Sequence, residues 1–366
     1  MILLSSIIEE FEGRYFEQYK NSILPSHEKA LRVMKQCRTD QSPQMLAQCT
    51  GDACSHFAYI PHSCGHRSCP HCQSHESQQW IEKQLNKQLP VQYYLLTFTL
   101  PKEFRDLVWK NQKSIYSLLF QCVKEVLQRF SKNDKELKGV PGMTMILHTH
   151  SRRLDYHPHI HVVMPGACID KKTKSWNVKK GKYIFNHKAL AKVFRATILK
   201  GISEKKLQLP TYYPKKWVVD CKNVGNGDKA FIYLGKYLYK GVIQEKDILE
   251  CKDGSVTFGY IDSKTKKYQR RTVKGEYFLY LLMQHVLPKG FRRTRDYGFL
   301  HACSKQLIKL LQYLLDFSPS RVLKELTKRT GILCKCCGAQ MEIIQRMIPS
   351  TAFMKKGSII YDEEGR

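Results

Sequence analysis

Three histidines at alternate positions, in the run HPHIHVV over residues 157–163, are the first residues whose spacing points to chemistry. An extended strand sends alternate side chains to one face, so His157, His159 and His161 project together while Pro158 and Ile160 point the other way. Two imidazoles at i and i+2 can share one cation. Three on one strand converge poorly, because His157 and His161 are about 13 Å apart along a backbone rising ~3.3 Å per residue. His159 and His161 are therefore the expected pair, and a third ligand has to come from elsewhere. If MTMILHTH pairs antiparallel with the histidine strand through the turn SRRLDY, a symmetric register sets His148 opposite His159 and His150 opposite His157. His148 is the third ligand this predicts. A cation held by imidazoles with open positions is a Lewis acid able to stabilise charge on a phosphoryl oxygen.

The cysteines suggest a second kind of metal. Cys49 and Cys54 make one pair, and Cys69 and Cys72 make a C-x-x-C in CPHC. Two pairs on tight turns can bring four thiolates around Zn²⁺, and a fully protein-filled tetrahedron is structural rather than catalytic. Cys64, His66 and His71 lie in the same stretch, so other ligand combinations are open. Arg67 is placed to be presented to DNA. At the other end, CKCCG (Cys334, Cys336, Cys337) is half a site, which Cys303 could complete through folding.

A nucleophile is available in AFIYLGKYLYKG. Tyr233 and Tyr237 are four residues apart, which stacks them on one face of a helix while Tyr239 points elsewhere. Tyrosine can form covalent intermediates, and cations such as Lys236, Lys240 and a bound metal would favour the phenolate over its ordinary pKa of about 10. Gly235 costs about 1 kcal/mol relative to alanine inside a helix, a cost easier to understand where backbone or ligand approaches closely.

The elements that must position these groups are legible from periodicity. Residues 1–48 carry helix-like apolar spacing (Ile7, Ile8, Phe11, Tyr15, Tyr19) and form a helical lead-in; 49–85 are the cysteine-rich module, left by a helix over HESQQWIEKQLNKQL. From 86 to about 300 a third unit begins with the strand YYLLTFTLP, stopped by Pro101. A long amphipathic helix to about 131 follows, then the two histidine-bearing strands, a polar hairpin tip at 170–182, a helix near HKALAKVFRATILKGI, a strand KWVVDC, the tyrosine helix and the hairpin SVTFGYID…KYQRRTV. Helices GEYFLYLLMQHVL and SKQLIKLLQYLLDF close the body, and residues 301–366 read as a helical region with a cysteine-rich tail. The expected class is α+β, with a central antiparallel sheet flanked by helices.

Composition limits the partners. Lys plus Arg number 61 against 32 Asp plus Glu, a net charge of +29 with a pI near 9.6, spread along most of the 366 residues. Such a field favours polyanions, and basic clusters interleaved with aromatics (KKGKYIF, KKYQRR, GFRRTRDYGF) suit phosphate contact with base stacking. Lys289, Arg292, Arg293 and Arg295, with Lys236 and Lys240, are the candidate DNA contacts. The longest apolar run, FLYLLM, is far short of the roughly 20 residues that span a bilayer, and MILLSSIIEEFEGRY lacks a basic leader, so a cytoplasmic, nucleoid-associated protein with no membrane partner is expected. In that compartment clustered cysteines read as metal ligands rather than disulfides.

A strand LLTFTLP, a later histidine strand and a downstream tyrosine helix in a basic protein follow the order of parts in HUH single-strand nucleases. More closely, SCGHRSCPHCQ, LHTHSRRLDYHPHIHVVMPG, YLGKYLYKGVI and HVLPKGFRRTRDYGFL resemble the bacterial two-tyrosine rolling-circle insertion-sequence transposases, the IS91 group, over roughly residues 25–340. The resemblance implies a metal-dependent transposase that nicks one DNA strand, keeps a 5′-phosphotyrosine link and frees a 3′-hydroxyl. It makes His159 and His161 the HUH pair, Tyr233 and Tyr237 the two nucleophiles, and Cys69 and Cys72 the closing pair of the zinc module. The chain departs from the group in the wide first cysteine pair, CTGDAC, and in His150 and Arg152 after LHT. On this reading Mg²⁺ or Mn²⁺ sits on His159, His161 and His148, Zn²⁺ sits in the cysteine module, and the substrate is single-stranded DNA of the element's ends and target. No G-x-x-x-x-G-K-[ST] loop occurs in the sequence, which leaves strand separation to host helicase or replication proteins. Rival readings are a plasmid replication initiator or relaxase with the same chemistry, a non-catalytic zinc-dependent DNA-binding regulator that binds without a covalent adduct, and a zinc hydrolase indifferent to loss of both tyrosines.

Overall fold

A computed structural model describes residues 2–39, 41–72, 74–170, 172–239, 242–262, 265–319 and 331–347. The chain opens with α1 (Leu4–Gln18), which buries Leu4, Ile7, Ile8, Phe11 and Tyr15 at the spacing of one helix face. α2 (Pro25–Lys35) starts on a proline, whose missing N–H is harmless at a first helical position. β1 (Gln44–Cys49) and β2 (Phe57–Pro61) pair as a hairpin, and α3 (Ser74–Leu85) leaves the cysteine-rich segment. Next come β3 (Tyr93–Thr99), α4 (Arg105–Lys110), the long α5 (Gln112–Asn133), β4 (Val140–Pro141), β5 (Met143–His150) and β6 (Tyr156–Pro165). β7 (Ala167–Asp170) and β8 (Ser175–Val178) form the polar hairpin. α6 (His187–Glu204) is opened by Asn186, whose side chain accepts from the N–H groups of Lys188 and Ala189. β9 (Val219–Asn223), α7 (Asp228–Tyr239), β10 (Ile248–Lys252), β11 (Ser255–Ile261), β12 (Tyr268–Lys274), α8 (Gly275–Met283), β13 (Thr294–Tyr297), α9 (Lys305–Leu314) and β14 (Met341–Met347) complete the order.

The fold is α+β, as expected, and its centre is a five-stranded antiparallel sheet in the order β13-β5-β6-β3-β9. Alternation divides its side chains between two cores. Leu96 and Phe98 of β3, Met145 and Leu147 of β5, and Ile160, Val162 and Met164 of β6 pack against α5 and α6 through Ile115, Leu119, Val123, Phe194 and Ile198. On the opposite face Tyr93, Ile146 and Val163 pack against Trp80 of α3 and Phe231, Leu234 and Leu238 of α7. Each large apolar side chain so buried stabilises the fold by about 1.5–3 kcal/mol relative to exposure. Both faces being covered is why β5 is buried at every position. His148 lies two residues beyond Ile146 and His161 two before Val163, so the same alternation turns them toward α7.

A separate core joins the N-terminal helices to β11 and α8: Ile7 and Phe11 of α1, Leu31 of α2, Val256 and Phe258 of β11, and Phe278 and Leu282 of α8. Cys37, Cys69 and Cys72 belong to it, so the expected division at residue 48 cuts across packing rather than following it. The tail differs from a purely helical region: after α9, β14 adds as a strand to β1, giving a sheet in the order β14-β1-β2.

A candidate metal centre beside the tyrosine helix

β5 and β6 pair with His148 opposite His159, the register that symmetry requires; a bulge then sets His150 opposite Tyr156 rather than His157. On the other side of β6, His161 faces Thr97 of β3. The rings of His148 and His161 lie 4.5 Å apart, those of His159 and His161 4.8 Å, and those of His148 and His159 5.3 Å. One nitrogen from each falls within 4.8 Å of the others, whereas His157 takes no part in this group. The outer nitrogens are already engaged. His159 Nδ1–H donates to the His157 carbonyl at 2.6 Å, and His161 Nδ1 is hydrogen-bonded to Thr97 Oγ1 at 3.0 Å. Such partners fix the ring and leave Nε2 to face a ligand.

His148 Nε2 is buried with no hydrogen-bond partner, an arrangement that costs about 1–3 kcal/mol when nothing fills it. Burial holds His148 and His159 well below the ordinary imidazole pKa and lowers His161 to about 4, so all three are neutral and can donate a lone pair. Three convergent neutral nitrogens, one of them orphaned, fit a divalent cation.

α7 lies over this group. The Tyr237 ring is 4.3 Å from that of His148 and 4.9 Å from that of His150, with only 9° between the latter planes. Tyr233 stacks on Tyr237 at 5.9 Å and is 47% exposed, so the two phenols share one face and differ in access to solvent. Burial and the neighbouring Tyr233 raise the Tyr237 pKa, against the pull of Arg152 and Arg293. Gly235 is explained by backbone approach: a methyl there would meet Ile81 Cγ1 at 2.3 Å and Trp80, and its carbonyl accepts from Ser77 Oγ at 2.8 Å. α3 therefore clamps the tyrosine helix where it has no side chain.

The basic residues divide. Lys236, Lys289 and Arg292 are exposed, and Lys240 lies outside the described residues. Arg293 donates from Nη1 to the Leu238 carbonyl at 2.7 Å, and the Arg295 guanidinium lies over the ring of Phe120 at 4.3 Å, so both are partly engaged within the fold. Arg67 likewise donates from Nη1 to the Phe291 carbonyl at 2.7 Å instead of standing free for DNA.

The expected ligand set Cys49, Cys54, Cys69 and Cys72 does not converge. Cys69 and Cys72 gather with Cys37 and Cys64, while Cys49 and Cys54 gather with Cys334 and Cys337. In the first group Cys37 Sγ is 3.3 Å from Cys72 Sγ and 3.6 Å from Cys69 Sγ, and the Cys64 N–H donates to Cys72 Sγ at 3.2 Å. The physical reason is the β1–β2 hairpin, which carries its own two cysteines away from the C-x-x-C turn and toward β14. His71 pairs with Glu245 at 2.8 Å, and His66 Nδ1 accepts from the Ser68 N–H at 3.3 Å. Cys303 is exposed, belongs to neither group and does not complete the tail's half-site. Of the open candidates Cys64 joins the group and His66 and His71 do not, while sequence reasoning missed Cys37 and Thr97; for Thr97 the available signal was strand alternation opposite His161.

Residues 7–100 match the family described as "Transposase zinc-binding domain", and residues 142–307 match the family described as "Putative transposase". The chain is 29% identical to "Putative transposase y4qJ" of Sinorhizobium fredii, with 78% of each chain covered. It is 27% identical to "Transposase for insertion sequence element IS801" of Pseudomonas savastanoi pv. phaseolicola, with 80% of this chain and 77% of that one covered. Among solved structures it is similar to "Conjugative Relaxase TrwC in complex with mutant OriT Dna", at 12% identity and a TM-score of 0.26, covering 61% of this chain and 74% of that one. Among the described residues, no helix is long and apolar enough to cross a membrane.

Proposed function

We propose that this chain, which belongs to the IS91-type transposases with an N-terminal zinc-binding domain, cuts and rejoins single-stranded DNA at the ends of its mobile element through a covalent 5′-phosphotyrosine link. The observation that carries this reading is the Tyr237 ring packed on His148 and His150 directly beside the three-imidazole group. His148, His159 and His161 would hold Mg²⁺ or Mn²⁺, which supplies Lewis-acid polarisation of a phosphoryl oxygen when bound.

The chain's own residues do the rest. Thr97 and the His157 carbonyl keep two imidazoles oriented, and the His150 ring fixes the plane of the Tyr237 phenol. The Tyr237 oxygen attacks phosphorus as the bond from phosphorus to the 3′-oxygen breaks. The phenol proton ends on the departing oxygen, giving a free 3′-hydroxyl and a phosphotyrosine diester. One ester replaces another, so rejoining strands consumes no nucleotide. Tyr233, more exposed and stacked on Tyr237, is positioned for a second cleavage before the first link is resolved. Lys236, Lys289 and Arg292 are open to phosphates, and a net charge of +29 keeps such a protein with the cell's DNA. Strand opening falls to host helicase or replication proteins.

The test is incubation of labelled single-stranded element ends with protein and Mn²⁺. A denaturation-resistant protein–DNA band is expected for wild type and absent for the Tyr233→Phe/Tyr237→Phe double variant. Binding of the same DNA without any such band would support a non-catalytic regulator and overturn the reading.

A further inference from the structure

We propose that Cys49, Cys54, Cys334 and Cys337 hold a second structural zinc ion, which fastens the C-terminal segment 331–347 to the N-terminal hairpin. Cys334 and Cys337 lie outside both regions that match known families.

The four sulfurs lie within 4.8 Å of one another, with Cys49 Sγ 3.3 Å from Cys337 Sγ and Cys54 Sγ 3.8 Å from Cys334 Sγ. Each half has the form of a knuckle, in which an N–H two residues on donates to the first sulfur: Gly51 to Cys49 at 3.3 Å and Cys336 to Cys334 at 3.4 Å. Such donors favour the thiolate, the form that binds metal. The second knuckle closes with the Gly338 N–H donating to the Cys334 carbonyl at 2.9 Å, at a φ of +74° that glycine adopts without strain. Gly51 lies close against the same group. A methyl there would come within 3.2 Å of Ala339 Cβ and 3.3 Å of Cys337 Sγ, a tight fit that would push the neighbouring sulfur and Ala339 apart by a few tenths of an ångström.

The surroundings show why metal is needed. β14 pairs with β1, and the Thr50 N–H donates to the Gln340 carbonyl at 2.9 Å, but the core beneath consists of Ala47, Cys49, Cys334 and Met341. A sheet of this size with so small an apolar core does not hold by burial alone; small units are stapled by disulfides or metal. His56 and Cys336 also come near Cys334, but the Cys49, Cys54, Cys334 and Cys337 set supplies a full tetrahedron of thiolates, the preferred surroundings of structural zinc.

Cys336 and Cys337 are adjacent and both exposed, which provides an internal control. Purified full-length protein loaded with zinc alone is treated with iodoacetamide, and each cysteine is followed by mass spectrometry. Cys337 is expected to react at least tenfold more slowly than Cys336, and removal of zinc with a strong chelator should bring it to the rate of Cys336. Zinc content should fall by one equivalent per chain in Cys337→Ser and stay unchanged in Cys336→Ser. If Cys337→Ser does not fold, the wild-type labelling decides alone. Equal rates for the two cysteines in zinc-loaded protein, or protection of Cys336 in place of Cys337, would overturn the assignment.

Discussion

The ring of Tyr237 lies parallel to that of His150, 4.9 Å away with 9° between planes, while its other neighbour, His148, belongs to the three-imidazole group. A phenol packed against these two rings has little rotational freedom, so its position relative to the three imidazoles is set before DNA arrives. Pre-paid orientation of this kind lowers a barrier without added contacts. Tyr237→Phe keeps the stacking and deletes the proposed nucleophile. It should reduce first-strand adduct formation about a thousand-fold or more, the scale seen when a nucleophile is removed. Tyr233→Phe should keep first-strand cleavage within about tenfold of wild type, a factor worth roughly 1.4 kcal/mol of barrier, and lose only second-strand cleavage. Single-turnover rates on labelled element ends distinguish the two.

The Thr97 hydroxyl is hydrogen-bonded to the outer nitrogen of His161 at 3.0 Å. Thr97→Val preserves shape and removes the hydroxyl. Loss of such an outer partner typically lowers metal affinity about 10- to 100-fold. Mn²⁺ titration of cleavage should show that rise in the half-saturating concentration, with the rate at saturating Mn²⁺ changed much less and the circular dichroism spectrum unaltered.

Gly235 is where α3 and α7 touch. Gly235→Ala gains about 1 kcal/mol of helix propensity but drives a methyl into Ile81, and overpacking of this sort costs about 1–3 kcal/mol. The variant should melt lower and cleave poorly because α7 shifts against the histidines. Adding Ile81→Ala should recover part of both losses. No recovery would mean that Gly235 matters for another reason.

The order of the parts was legible in the sequence, and their partners were only half legible. Period-two alternation through MTMILHTH and HPHIHVV places His148, His159 and His161 on the face that meets α7, because a strand's side-chain direction is a local property. The cysteines are different. Cys37 and Cys64 join Cys69 and Cys72, and Cys334 and Cys337 return across the whole chain to Cys49 and Cys54, with the members of the two groups interleaved along the N-terminal segment. Spacing alone cannot separate two interleaved sets of four, since thiolates are interchangeable and the sorting is done by the β1–β14 pairing. The intramolecular contacts of Arg67, Arg293 and Arg295 are illegible for a related reason: nothing local shows whether a guanidinium also reaches a carbonyl or a ring. The raised pKa of Tyr237 follows from burial that periodicity cannot measure.

Acid should unfold the protein through its buried neutral histidines. Burial lowers His27 to about 4 and His285 to about 3, from an ordinary 6.5. Between pH 6.5 and about 4 the unfolded chain binds more protons than the folded one. Stability is therefore full above pH 6.5 and falls as pH drops through that window, by up to about 1.4 kcal/mol per pH unit for each such group. Urea midpoints at pH 7.5 and pH 5 should differ accordingly, and His27→Phe, which can keep the contact with Trp109, should shrink the difference.

In the proposed mechanism an imidazole-held cation and Tyr237 meet at one phosphodiester. The most direct measurement uses element-end DNA with a single non-bridging sulfur at the scissile phosphate. With Mg²⁺, one stereoisomer should form the Tyr237 adduct far more slowly than unmodified DNA, and Mn²⁺, which accepts sulfur more readily, should restore the rate with the linkage still mapping to Tyr237. An adduct that forms equally well on both stereoisomers, and in the presence of a chelator, would contradict the account.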